Sequence, residues 1–217
     1  MAWAAAGALV VAAAAGAAWY LSAARSQTAG EVDLGGLPSG VRRDALNVVV
    51  ITLDTLRADH LGAYGSTLVK TPALDRLAGE GTRFAQAMSS APLTLPAHSS
   101  IFTGRFPPEH GVRDNGGFFL NPDQTTLAEM LKAKGFATGG FIAAFVLDGK
   151  WGIDQGFDEY VDDFDISERR GRSMGNVQRP GNEVVDKALP WIDSVKDSRF
   201  FAWIHLYDPH TPYDPPE

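Results

Sequence analysis

The stretch Asn47-Val-Val-Val-Ile-Thr-Leu-Asp54 decides the fold, because it is a continuous apolar and β-branched run that ends abruptly in a carboxylate. A run of this kind is typical of a strand that is buried on both faces of a parallel sheet. Asp54 would then lie at the carboxyl end of the strand, which is the edge where open α/β sheets bind ligands. A single aspartate after an apolar strand is weak evidence of a site, since it could equally cap the next turn.

Outward from this stretch, strand patterns alternate with helical ones. We predict strands over residues 47–53, 83–88, 136–142 and 200–206, and helices over residues 72–79, 96–103, 125–134 and 183–196. Alternation of this kind predicts an α/β fold with a mostly parallel sheet and helices on both faces.

A second stretch, residues 90–105, has the pattern of a loop that leads into a helix. Pro96 suits the first helical turn because it has no backbone N–H and a fixed φ, and Gly104 would end the helix. The hydroxyl of Thr94, just ahead of that turn, would face unpaired N–H groups and the positive end of the helix dipole. Thr94 is therefore a candidate nucleophile. A simple helix cap is the alternative, since hydroxyls commonly cap helices.

Collinear motifs cover nearly all of the chain from Asn47 onward. They are Ile51-Thr-Leu-Asp-Thr-Leu-Arg-Ala-Asp-His-Leu-Gly-Ala-Tyr-Gly65, Thr71-Pro-Ala-Leu-Asp-Arg-Leu-Ala78, Ser99-Ser-Ile-Phe-Thr-Gly-Arg-Phe-Pro107, His110-Gly-Val112, Gln155-Gly-Phe-Asp-Glu159 and Asp208-Pro-His-Thr-Pro-Tyr213. Together they resemble the sulfatase family within the alkaline phosphatase superfamily. The resemblance implies an alkaline phosphatase-like α/β/α sandwich that hydrolyses sulfate or phosphate esters. Because the last residues fall in a loop, we expect an N-terminal portion of that domain, with the sheet incomplete at the C-terminus and no activity from this portion alone.

The nucleophile loop departs from the family pattern. Sulfatases carry Cys or Ser, any residue, Pro, any residue and Arg, and the first residue is oxidised to formylglycine. This chain has Thr94-Leu-Pro-Ala-His98. Threonine is a secondary alcohol that would give a ketone, so Thr94 would have to attack directly. By resemblance, a threonine nucleophile is typical of superfamily members that act on phosphoryl groups, so a phosphotransferase of the phosphoethanolamine or lipoteichoic acid type is an alternative function. His98, a predicted catalytic residue, replaces a permanent cation with a titratable group.

A divalent metal ion is the simplest way to activate a threonine hydroxyl at neutral pH and to neutralise ester oxygens. The predicted ligands are Asp54 and Thr94, and the ion could be Ca, Zn, Mn or Mg. Sulfatases often have two acidic residues in tandem at this point, whereas this chain has Asp54-Thr55. The resemblance places the other ligands, an Asp followed by His or Asn, on a later strand that these residues do not include.

Other site residues are assigned by their places in the motifs. His210 resembles the family histidine that contacts the oxyanion or protonates the leaving group; a surface histidine in a Pro-rich turn is the alternative. The predicted substrate-binding residues are Arg113, Asn115 and Lys150. Lys150 could equally be a solvated loop lysine, because its spacing from the next motif is shorter than in the family. We expect His205 to be a buried strand residue.

The beginning of the chain carries a separate signal. Residues 2–24 have no charged side chain, and a helix of that length at about 1.5 Å per residue covers the roughly 30 Å hydrocarbon core of a bilayer. We predict a transmembrane anchor over residues 1–24 and a linker over residues 25–44, with a cleaved signal peptide as the alternative. Arginines follow the span, so the positive-inside rule does not clearly favour export. Only the resemblance implies that the catalytic part is extracytoplasmic, in the periplasm or outside the cell.

Composition narrows the functional classes. The formal net charge of -7 disfavours nucleic acid as a partner. No cysteine is present, so disulfides and thiolate metal sites are excluded. The sequence predicts a metal-dependent hydrolase of an anionic ester. The alternative of a different class is a catalytically silent membrane-anchored binding domain or a truncated product.

Overall fold

The structure is a computed structural model that describes residue 42 and residues 45–164 and 177–213. The predicted membrane segment, residues 1–24, lies outside the described residues, and so does the predicted linker apart from Arg42. Within the described ranges, no helix is both long enough and apolar enough to cross a membrane.

The described residues form four strands and five α-helices. The strands are β1 (Val48–Leu53), β2 (Ala137–Phe141), β3 (Glu159–Val161) and β4 (Phe200–Leu206). The helices are α1 (Pro72–Glu80), α2 (Thr94–Thr103), α3 (Pro107–His110), α4 (Leu127–Lys132) and α5 (Gly181–Val195). Short 3₁₀ helices cover Ala58–His60, Gly62–Tyr64, Phe145–Leu147 and Gly149–Trp151.

The strands form one parallel sheet in the order β1-β4-β2-β3 within the described chain. The predicted α/β fold with a parallel sheet is thereby confirmed. β4 lies next to β1 although it is the last strand in sequence, and the two pair from Val48 opposite Phe201 to Leu53 opposite Leu206. The carboxyl ends of β1 and β4 therefore meet at one edge of the sheet, where ligands bind in folds of this kind.

Helices pack on both faces of the sheet. On one face, Trp191 of α5 contacts Phe141 and Phe200, with ring centroids 5.6 and 6.1 Å apart. On the opposite face, Phe102 of α2 packs edge-on against Trp203 at 4.6 Å. Phe102 and Trp203 are almost completely buried. This second contact fixes α2 against β4 and so sets the position of the residues at the start of α2.

Four features differ from the sequence-based expectations. Strand β1 is not buried on both faces within the described residues, because it lies at the edge of the sheet and its Val49 and Ile51 are 48% and 54% exposed. Residues 83–88 form no strand, and Phe84 and Met88 are 63% and 96% exposed. Alternating residues do not make a strand unless a neighbouring strand pairs with them. The short strand β3 is not predicted, because three residues carry too little pattern. Helix α2 begins at Thr94 and not at Pro96, since the Leu93 carbonyl already accepts the first helical hydrogen bond from Ala97 N–H at 3.0 Å.

Candidate active site

A cleft of about 500 Å³ lies where the ends of β1 and β4 meet the start of α2. The sequence-predicted site residues that line this cleft are Asp54, Thr94, His98, Asn115 and His210. The structure therefore brings together the two predicted metal ligands, Asp54 and Thr94, and both predicted catalytic histidines; Thr94 is also the predicted nucleophile.

Thr94 is the first residue of α2 and is almost fully buried, with 8% of its surface exposed. The backbone N–H of the next residue, Leu95, donates a hydrogen bond of 2.8 Å to Oδ1 of Asn115. Asn115 thus satisfies one of the N–H groups that the first helical turn leaves unpaired. The helix ends at Gly104, whose φ of 66° lies in the left-handed region that glycine adopts without strain. Thr94 is held at the positive end of the helix dipole.

Asp54 directly follows β1 and is the acidic group of the cleft. Burial acts to raise the pKa of its carboxyl, but the hydrogen bond from the His205 side chain and the nearby His205, His98 and Thr94 side chains outweigh this effect and lower the pKa. The carboxyl is therefore an anion at neutral pH. Thr55, the next residue, has a φ of 57°, which is uncommon for a β-branched residue and turns the chain sharply after the carboxylate.

His205 is a partner of Asp54 that the sequence does not reveal. It is fully buried in β4, as expected, and its Nε2 lies 3.4 Å from Oδ2 of Asp54. Its Nδ1 accepts a hydrogen bond from Ala143 N–H at 3.4 Å, so the proton is on Nε2 and points to the carboxylate. Burial lowers the pKa of His205, which keeps the ring neutral at pH 7. The sequence does show a histidine inside an apolar strand. That histidine can be identified as the partner of Asp54 only once the pairing of β4 with β1 is known.

His98 lies one helical turn after Thr94 and is also neutral. Its Nδ1 donates a hydrogen bond of 2.8 Å to the Thr94 carbonyl, so Nε2 carries a lone pair. That Nε2 atom is buried and has no hydrogen-bond partner among the residues that the structure describes. Burial, together with the nearby His205, lowers the pKa of His98 to about 4. The residue that replaces the arginine of the family pattern is thus a neutral ring whose Nε2 carries a lone pair.

Tyr207 is a second residue that the sequence-based assignment misses. It follows β4 directly and is almost completely buried. Burial and the Asp54 charge raise the pKa of its hydroxyl to about 12, while a hydrogen bond with the Thr94 side chain acts in the opposite direction. Its ring stacks on His210, with centroids 4.1 Å apart and planes 17° apart, and its carbonyl accepts from His210 N–H at 2.9 Å. Tyr207 therefore contacts the predicted leaving-group histidine and lies near the predicted nucleophile.

Two predicted substrate-binding residues do not line the cleft. Arg113 is exposed, two residues before Asn115. Lys150 places its Nζ 3.3 Å from the centroid of the Phe145 ring and 3.6 Å from Oδ2 of Asp148. These contacts are those of a lysine that is held locally by an aromatic ring and a carboxylate. The substrate-binding roles of Arg113 and Lys150 stay predictions.

The cleft contains side chains that could supply some of the ligands of a divalent cation. Asp54 supplies an anionic oxygen, Thr94 a hydroxyl oxygen and His98 an imidazole lone pair, and each donor is of a kind that binds divalent metals. Within the described residues, however, no group of three or more His, Cys, Asp or Glu side chains is arranged to hold a metal ion. The described chain thus offers some of the ligands of a metal site.

Comparison with known proteins gives the family. The sulfatase family model matches residues 46–217. Mouse steryl-sulfatase is 36% identical over 124 residues, which is 52% of this chain and 19% of the relative. N-acetylglucosamine-6-O-sulfatase of Bacteroides thetaiotaomicron is 33% identical over 183 residues, which is 78% of this chain and 31% of the relative. The chain therefore spans between a fifth and a third of the length of these relatives.

Solved structures agree with this result. A protein solved in complex with its substrate D-glucosamine-2-N,6-O-disulfate superposes with a TM-score of 0.65 at 25% identity, over 78% of this chain and 35% of that one. The family match contains every described strand and helix and the whole of the cleft. The chain thus belongs to the sulfatase family.

Proposed function

We propose that the protein is a metal-dependent hydrolase of sulfate or phosphate esters in which Thr94 is the direct nucleophile. The observation that carries this proposal is the position of Thr94, at the first residue of α2 and inside the cleft that also contains Asp54 and His210. A nucleophile, an anionic metal ligand and a candidate acid in one cleft form the minimum set for transfer of a sulfuryl or phosphoryl group.

Direct attack follows from the chemistry of threonine. Oxidation of its secondary alcohol would give a ketone, so the aldehyde hydrate of the formylglycine sulfatases cannot form at this position. The Thr94 oxygen would attack sulfur or phosphorus in line, and its proton would be lost to solvent or to a nearby acceptor. His210 would give a proton to the departing alcohol, which leaves a sulfate or phosphate ester on Thr94. Water would then hydrolyse that ester and regenerate the hydroxyl.

The protein groups around Thr94 support this scheme. The start of α2 directs backbone N–H groups and the positive end of the dipole at the reacting centre, which favours developing negative charge. Asp54 and Thr94 are the residues that would hold a divalent cation. When bound, such a cation supplies positive charge against the alkoxide and the ester oxygens.

Mass spectrometry of the full-length protein, quenched during turnover, tests the proposal at Thr94. We expect a sulfate or phosphate adduct on the peptide that contains Thr94. The Thr94→Ala variant should lose several orders of magnitude in kcat, on the order of 10⁴-fold, because it has no nucleophile. Thr94→Ser, which keeps a hydroxyl, is the matched control and should retain part of the activity. An unchanged rate in Thr94→Ala would remove Thr94 from the mechanism.

The neutral His98 bears on the choice between sulfate and phosphate. Because it replaces the arginine of the family pattern, the cleft lacks a cation that the formylglycine sulfatases use. We expect aryl phosphates and bis-aryl phosphates to be hydrolysed at least as fast as aryl sulfates in parallel assays. A strong preference for the aryl sulfate would mean that the arginine and formylglycine are dispensable for sulfate hydrolysis, and it would contradict this part of the proposal.

A further inference from the structure

Nε2 of His98, a residue that lines the cleft, is a buried polar atom without a partner among the described residues. The residue as a whole is 6% exposed. A buried polar atom without a partner destabilises the folded protein, so a retained one calls for a ligand. The described protein groups do not supply that ligand, since the neighbouring His205 directs its own Nε2 proton to Asp54.

The other ring nitrogen shows what kind of ligand fits. Nδ1 of His98 donates to the Thr94 carbonyl at 2.8 Å, which fixes both the tautomer and the orientation of the ring. Histidines that bind metals almost always donate their second ring nitrogen to a carbonyl or a carboxylate in this way. With the proton fixed on Nδ1, Nε2 can only accept a hydrogen bond or coordinate a cation.

The neighbours of His98 favour a cation over a hydrogen-bond donor. The cleft that His98 lines also contains the Asp54 carboxylate and the Thr94 hydroxyl. Of the described side chains that line it, none is a lysine or an arginine. The substrate proposed above is an anion, which would be repelled by a lone pair next to a carboxylate. A divalent cation satisfies the lone pair and the carboxylate together.

We propose that Nε2 of His98 is a ligand of the divalent ion at Asp54 and Thr94, and that this nitrogen makes the site select zinc over calcium and magnesium. The inference rests on the metal dependence proposed above and adds a ligand and a metal preference to it. Imidazole nitrogen suits zinc and other late first-row metals, whereas calcium and magnesium prefer all-oxygen sites. An arginine at this position, as in the family pattern, could not act as a ligand, because it has no free lone pair.

Metal affinities test the inference without reference to turnover. The full-length protein, stripped with a chelator, is titrated with zinc and with calcium by calorimetry, as the wild type and as His98→Gln, His98→Arg and His60→Gln. His60 is a more exposed histidine that does not line the cleft, so its variant is the matched control. We expect His98→Gln and His98→Arg to weaken zinc binding by at least roughly a hundredfold, because loss of a ligand should exceed the effect of losing a group that only orients one. The calcium affinity of the His98 variants should change little. The zinc affinity of the His60→Gln variant should also stay close to that of the wild type.

A rescue experiment separates loss of the ligand from loss of the fold. In His98→Ala, free imidazole should restore zinc affinity if the missing nitrogen is the cause, whereas it would not restore a misfolded protein. Wild-type zinc affinity in both His98→Gln and His98→Ala would overturn the inference and leave the proposed hydrolase intact. An absence of any divalent binding to the wild type would overturn the proposed metal dependence as well.

Discussion

Tyr207 shows how a single residue can couple two steps of the proposed reaction. The Thr94 side chain acts to lower the pKa of the Tyr207 hydroxyl, so the two side chains lie close together, and the Tyr207 ring is stacked on His210. The first contact would orient the nucleophile, and the second would orient the acid that serves the leaving group. A displacement of about 1 Å at a reacting group can reduce the rate a hundredfold, so both contacts should matter for turnover.

Two substitutions distinguish the contacts of Tyr207. We expect Tyr207→Phe, which keeps the ring and removes the hydroxyl, to lower kcat by roughly tenfold to a hundredfold with little change in KM. Tyr207→Leu removes both contacts and should lower kcat further. Tyr213→Phe is the control, since that tyrosine is 76% exposed. Steady-state kinetics with an aryl ester measure these effects, and a Tyr207→Phe variant with unchanged kcat would exclude the hydroxyl from positioning Thr94.

At the scale of the elements, the Asp158 carboxylate links strand β2 to helix α4. Oδ2 of Asp158 accepts hydrogen bonds of 3.0 Å from both the backbone N–H and the hydroxyl of Thr138 in β2. Its Oδ1 lies 2.7 Å from Nζ of Lys132 at the end of α4. Burial acts to raise the pKa of Asp158, but the Lys132 and Thr138 hydrogen bonds outweigh burial and lower the pKa. The ionised carboxylate therefore stabilises the folded state.

The sign of this pKa shift sets a pH dependence of stability. Because the pKa is lower in the folded state, the stabilisation is complete above the unfolded pKa of about 3.9 and is lost as pH falls through the folded value. We expect Asp158→Asn to reduce the free energy of unfolding by about 1 kcal/mol at pH 7, a modest value because the carboxyl is half exposed. The difference from the wild type should shrink in acid below that unfolded value.

Urea unfolding at neutral and acid pH measures this difference. The exposed Asp186 on α5 offers a control, and Asp186→Asn should change stability little at either pH. An equal loss of stability for Asp158→Asn at both pH values would show that the charge of Asp158 is not what stabilises the fold.

Sequence patterns predict the elements of this fold better than their arrangement. The apolar runs that become β1, β2 and β4 are visible because each is long enough to carry a pattern, and Gly104 marks the end of α2. The pairing of β1 with β4 is not visible, because it joins strands that are distant in sequence. For that reason Asp54 and Thr94 can be assigned to the site from motifs, whereas the His205 contact with Asp54 requires the structure.

At the scale of the whole molecule, charge makes an anionic substrate depend on the proposed cation. The formal net charge is -7, and the described cleft contains an ionised Asp54 and two histidines, His98 and His210. His98 is neutral at pH 7. An anionic ester would meet a field of the same sign in such a cleft. The dipole at the start of α2 offsets this only near Thr94, because its effect falls off within the first turn.

The apolar segment over residues 2–24 leads to a prediction about the whole protein in the cell. Because this segment has no charged residue and is long enough to span a bilayer as a helix, we expect the full-length protein to sediment with membranes. Detergent should release it, whereas high salt or alkaline carbonate should not. A variant that lacks residues 2–24 should stay in the soluble fraction after lysis, which makes it the matched control.

If the segment is instead a cleaved signal peptide, N-terminal sequencing of the mature protein will begin near Arg25 and the wild type will be soluble. Membrane association that persists without residues 2–24 would contradict both possibilities and assign the anchor to another part of the chain.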